Sequence, residues 1–189
     1  MKVAYADPPY PGCAHYYKDH PDYGGEVDHV ALVEQLLEFD GFVLHTSSTA
    51  GLRLVLPLVP DDVRVMSWVK PFCAFKANVP VAYSWEPVFV RAARKPVVSK
   101  RLTLRDHISQ SITLKKGLTG AKPPEVCRWA FEVVGARPGD ELIDMFPGTG
   151  IVSETWSHWC HEVEEEEGNA KEDRPNRPAR QYNLPLLEE

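Results

Sequence analysis

A chain of 189 residues, 43% hydrophobic and 25% charged, can bury the core of one ordinary folded domain, which excludes a disordered or fibrous class. No run reaches membrane-spanning length and the first residues enter a strand at once, so neither a span nor a signal peptide is expected. Cys13, Cys73, Cys127 and Cys160 lack C-x-x-C spacing and read as free thiols of a reducing cytoplasm, while Cys13, His15 and His20 are too mixed a set to predict a metal.

In chain order, residues 3–6 form a short apolar strand. Residues 28–37 place Val30, Val33, Leu36 and Leu37 at helical spacing behind Asp28, a candidate cap. Residues 41–45 read as a second strand and 50–58 as a helix ended near Pro60. Strands are expected at 63–69 and 87–91, a helix at 124–134, a strand at 141–144 and a helix-compatible stretch at 151–159. Strands alternating with helices predict an α/β domain, its sheet mostly parallel and covered on both faces. Ligands of such a sheet collect at the carboxyl ends of its strands. From residue 168 onward apolar periodicity stops, so the domain is set at 1–167, with 168–189 as a polar, loose tail.

Two motifs sit at predicted strand ends. Asp7-Pro8-Pro9-Tyr10 follows the first strand, and two prolines with fixed φ and no N–H stiffen the turn and turn carbonyl oxygens away from the ladder. An acidic side chain and a proline carbonyl beside an aromatic ring suit a planar amine, although the same residues also make an ordinary strand-terminating turn. The second motif, Asp144-Met145-Phe146-Pro147-Gly148-Thr149-Gly150, is a glycine loop that lets backbone approach a ligand. Ser153 breaks the G-x-G-x-x-G pattern and no Lys-Ser/Thr pair follows, so a ligand without phosphate is favoured.

Together the two motifs resemble S-adenosylmethionine-dependent amino-methyltransferases of nucleobases, which combine a D-P-P-Y type motif with a D-x-F-x-G-x-G loop. The order, D-P-P-Y first and glycine loop last, is similar to the circularly permuted beta class of DNA methyltransferases and to RNA adenosine methyltransferases. Lys122-Pro123 ahead of the 124–134 helix resembles the family's lysine-proline segment. The resemblance implies a Rossmann-like class I methyltransferase fold and adjacent strands carrying the two motifs. It implies amine acceptors at Asp7 and the Pro8 carbonyl, with Pro9 shaping the turn and Tyr10 stacking on a base or else packing on the next loop. It further implies that Asp144, Phe146, Gly148, Gly150 and Lys122 hold S-adenosylmethionine. The family's ribose-binding acid should end the next strand, and here only a strand at 161–164 offers one, at Glu162 or Glu164, with Glu162 taken as the candidate.

Net charge is −6, yet residues 91–128 hold ten basic residues against two acidic ones, a local charge of about +8 that suits a polyanion. Arg94, Lys95 and Arg101 from this stretch are candidate nucleic-acid contacts, as are Tyr16, Lys70 and Trp85. Trp68-Val69-Lys70-Pro71 and Trp85-Glu86 resemble positions lining the family's target pocket, with a core role for both tryptophans equally open. The loop around Tyr16 could close over a flipped base or be an ordinary surface loop. Only residues 91–120 are free for a short target-recognition insert, so recognition is expected to be relaxed or to depend on a second subunit, as a homodimer or with a partner. The leading expectation is methylation of adenine N6 in DNA. RNA adenosine, cytosine N4 or an amide nitrogen of a protein are alternative targets, and a catalytically weak nucleic-acid-binding subunit is the alternative outside enzymes.

Overall fold

The computed structural model describes residues 1–19, 23–73, 78–95, 104–113 and 121–172, with side chains described through 169. Strands β1 (Lys2–Ala6), β2 (Gly41–His45), β3 (Arg64–Val69), β4 (Trp85–Arg91), β5 (His107–Ser109) and β6 (Glu141–Asp144) form one sheet in the order β5-β3-β4-β2-β1-β6. β1 pairs in parallel with both β2 and β6, and β3 with β5, whereas β4 runs antiparallel to β2 and β3. Every described strand except β4 therefore points the same way. This is the expected α/β, Rossmann-like sheet with one reversed strand.

Strand alternation divides the core between two faces. Val3, Tyr5, Val43, Met66, Trp68 and Val88 pack against α3 (Pro124–Val133) and α4 (Ile151–Glu172). Ala4, Ala6, Phe42, Leu44 and Phe89 face α1 (His29–Leu36) and α2 (Ala50–Val55). Burial on both sides explains why β2 reads as a continuous apolar run. Asp28 caps α1 as expected, its Oδ1 accepting from the Val30 and Ala31 amides at 3.0 and 3.1 Å. Leu32 rather than Val30 completes the buried stripe of that helix; Val30 is exposed.

Three expectations need correction. Residues 161–164 are not a strand: α4 runs unbroken from Ile151 through Glu172, its Trp156 and Trp159 rings stacked with centroids 5.1 Å apart and its Arg128–Glu162 contact made to α3. The same helix continues through Glu172, into the first residues of the segment where a loose tail was expected, and the rest of that segment, 173–189, lies outside the described residues. Inside 91–120, His107–Ser109 extends the sheet as β5, and the Arg105 carbonyl accepts from Trp129 Nε1 at 3.0 Å, so part of this stretch builds the fold. No helix among the described residues is long and apolar enough to cross a membrane.

Candidate functional site

The register of β1 and β6 places the two motifs side by side. Tyr5 lies opposite Asp144, and the Met145 amide donates to the Tyr5 carbonyl at 2.9 Å, so Asp7-Pro8-Pro9-Tyr10 and the glycine loop leave adjacent strands at the same edge. The carboxyl ends of β2 and β3 and the amino end of β4 reach that edge too, since Val69 pairs with Trp85 and the Thr46 amide donates to the Pro87 carbonyl at 3.2 Å.

A buried charge network occupies this edge. Lys122, 6% exposed, donates to Asp7 Oδ1 at 2.7 Å and lies 3.5 Å from Glu86 Oε2. Lys70 donates to Glu86 Oε1, with its ammonium 4.6 Å from the centre of the Trp68 ring. The Lys122 ammonium also sits 5.8 Å from the Tyr10 ring centre and 5.4 Å from that of Trp68. Two lysines thus balance two carboxylates out of water, where an unpaired charge would cost several kcal/mol. Lys122 binds Asp7 and Glu86 here, although the sequence pointed it toward a cofactor.

Burial and charge move the titrations in different directions. Burial raises the Asp7 pKa; Lys122 pulls against it and Glu86 adds to the rise. For Glu86, burial is outweighed by Lys122 and Lys70, which hold it at about 2. Burial opposes the charge of Lys122, yet Asp7 and Glu86 raise it above an ordinary lysine. His45, whose Nε2 lies 2.9 Å from the Tyr5 hydroxyl, is kept neutral by burial and then by Lys122. Burial pushes the Cys127 thiol up to about 12, so it stays protonated under the sheet.

Unsatisfied groups gather at the same edge. The Tyr10 hydroxyl faces the Glu86 carboxylate, while His45 Nδ1, Thr46 Oγ1 and Asp144 Oδ2 are buried without a hydrogen-bond partner among the described residues. Such atoms are rare in a folded interior and call for an explanation. Asp144 Oδ1 accepts from the Phe146 amide at 3.2 Å, leaving Oδ2 turned elsewhere, and burial raises this carboxyl. Gly148 and Gly150 both adopt positive φ, at 44° and 76°, and the space where a side chain of Gly150 would stand is open. Between β6 and α1 lies a cleft of about 450 Å³ lined by Asp28, Gln35, Met145 and Phe146 among others.

Other candidates lie elsewhere. Arg94 donates to both carboxylate oxygens of Asp140, at 2.6 and 2.9 Å, and to the Gly135 carbonyl. Asp140 also binds the amino terminus at 2.9 Å, so this cluster sits where β1 and β6 begin, at the end of the sheet remote from Asp7. Lys95 follows Arg94 there. Arg94 is thereby spent on a structural ion pair, and Lys95 beside it is exposed. Arg101 lies outside the described residues. Glu162 is paired with Arg128, Nη2 to Oε1 2.8 Å, on the outer helices, and cannot end a strand. Tyr16 is exposed with its ring 4.1 Å from that of His15, while Tyr17 comes closer to the network: burial and then Asp7 raise its pKa. Trp68 is buried, donating Nε1 to the Gln110 carbonyl at 2.6 Å, and Trp85 stands at the rim, 39% exposed. Glu86 is the residue whose weight the sequence underplayed; its one signal was its place beside Trp85.

No family model matches the sequence, and no curated protein does. Among solved structures, the chain is similar to the crystal structure of M1.HpyAVI, with 14% identity and a TM-score of 0.53 over 84% of this chain and 76% of that one. It is also similar to the crystal structure of the M1.HpyAVI–SAM complex, with 15% identity and a TM-score of 0.48 over 84% and 78%. At this identity the likeness to the first is one of fold.

Proposed function

We propose that the chain is an S-adenosylmethionine-dependent methyltransferase acting on the exocyclic N6 amine of adenine in DNA. The observation that supports this best is the pairing of β1 with β6, which brings an amine-binding turn and a glycine loop to one edge together with unsatisfied buried acceptors. The D-P-P-Y strand first and the glycine loop last is the order of the permuted class, and the fold is one shared with M1.HpyAVI.

The residues present fit the cofactor at one end. Asp144 Oδ2, orphaned and buried, and the open backbone of Gly148 and Gly150 would hold it, with Phe146 beside them. The cleft between β6 and α1 gives room for the remainder. When bound, S-adenosylmethionine supplies an electrophilic methyl group on a sulfonium. The protein contributes position and charge. Asp7 and the Pro8 carbonyl accept the two N–H groups of the amine, which favours a pyramidal nitrogen with its lone pair turned toward β6. Lys122 now occupies the Asp7 oxygen that the amine needs, and Glu86 Oε2, 3.5 Å away, is a second acceptor for that ammonium. Its charge need not leave the site for a neutral amine to enter.

One observation favours a second reading. Glu162 belongs to α4, and among the described residues no strand follows that helix to carry a ribose-binding acid. A catalytically weak subunit that binds nucleic acid beside an active partner would have this form. Labelled-methyl transfer to duplex DNA, single-stranded DNA and RNA, with Asp7→Ala in parallel, separates the readings. Transfer to adenine in DNA that Asp7→Ala abolishes is the expected result. Transfer to none, with nucleic-acid binding intact, leaves the subunit reading.

A further inference from the structure

Over the rim of the sheet from Asp7, the carboxyl end of β2 and the amino end of β4 frame a second cleft, of about 360 Å³, lined by Ser48, Thr49, Pro80, Val81, Tyr83 and Trp85 among others. Trp85 and Val81 are 39% and 77% exposed, so the indole face is open to a ligand at the mouth of this cleft. The cleft is fixed in place by backbone bonds on both sides: the Lys70 amide donates to the Ser84 carbonyl at 2.7 Å, and the Thr46 amide to the Pro87 carbonyl. Trp85 and Glu86 are consecutive in β4, so they point to opposite faces. Glu86 joins the network around Asp7 while Trp85 walls the cleft, and one strand's width separates the two.

We infer that this cleft takes an unpaired nucleobase next to the target, so that the substrate is a single strand. The inference rests on the reading of Asp7-Pro8-Pro9-Tyr10 as the target-amine site. Among the described residues no charged side chain lines the cleft, and its polar groups there are hydroxyls, which suits a neutral group rather than a phosphate. A half-exposed indole face is a stacking surface for any base, and the Ser48 and Thr49 hydroxyls can bond a heterocycle edge. Tyr10 meets Glu86, the neighbour of Trp85 in β4, so a strand that leaves a target base at Asp7 and Tyr10 across the amino end of β4 would carry its next base to Trp85. In a duplex that neighbour stays paired and stacked and cannot enter.

The test uses the full chain and adenine-containing oligonucleotides with 2-aminopurine beside the adenine, as single-stranded DNA, single-stranded RNA and perfect duplex. Binding of a single strand should quench the 2-aminopurine. Trp85→Ala should abolish the quench and weaken binding about 10-fold, with Trp85→Phe restoring most of both. Asp7→Ala should keep the quench while losing methyl transfer. The DNA and RNA arms report which sugar is preferred. An unchanged quench and affinity in a folded Trp85→Ala, or duplex bound as tightly as single strand, overturns the inference, whether or not methyl transfer is seen. A quench that depends on Trp85, without methyl transfer to any arm, leaves the cleft standing and removes the enzymatic reading instead.

Discussion

Each end of the sheet carries a carboxylate bound to a cation, and the two differ in what remains unsatisfied. Where β1 and β6 begin, Asp140 accepts from two Arg94 nitrogens, the amino terminus and the Arg137 amide, and these bonds hold its pKa well below the usual carboxylate range. Where they end, Asp7 meets Lys122 through one bond, burial raises its pKa, and orphaned acceptors surround it. The first cluster is closed and joins two chain segments. The second keeps charge buried with hydrogen-bonding capacity unused, which stability alone does not explain.

The sharpest break in this comparison comes from Asp7→Ala, which should lower methyl transfer about 10³-fold while the protein stays folded, as single-turnover transfer of labelled methyl would read. Lys122→Met strips the cation from between Asp7 and Glu86, and thermal unfolding should show a loss of about 3–5 kcal/mol, the cost of breaking a buried pair. Glu86 lies at about 2 against an ordinary 4.5, so its stabilising contribution is complete above pH 4.5 and is lost as pH falls toward 2. Denaturant titrations across that window should show the slope of stability with pH flattened in Glu86→Gln. At the other end, Arg94→Ala should cost about 1–3 kcal/mol by leaving Asp140 short of donors, with methyl transfer unchanged below the melting range. Lys2→Ala, which removes an exposed pair with Glu141, should shift stability by no more than about 0.5 kcal/mol.

The same contrast explains what could be read in advance. β1, β2, β6, α1 and α3 follow from apolar runs, the Asp28 cap and the proline ahead of Glu125, all local signals. β5 escaped because His107-Ile108-Ser109 has one apolar residue, and its place is set by pairing with β3 some 40 residues earlier. The length of α4 escaped because glutamates on a solvated face leave no period to see. Within the site, Asp7 and the glycine loop announced themselves by composition. The partners of Lys122 and Arg94 did not, since a lysine aimed at Asp7 and an arginine aimed at Asp140 are chosen by topology across 115 and 46 positions.

The central claim is that the open end of the sheet binds S-adenosylmethionine. Calorimetric titration of the wild-type chain, Asp144→Asn and Arg94→Ala tests it most directly. Binding by the wild type, weakened about 10-fold or more by Asp144→Asn and untouched by Arg94→Ala, is the predicted result. No binding by the folded wild-type chain, or an equal loss in the two variants, would contradict it.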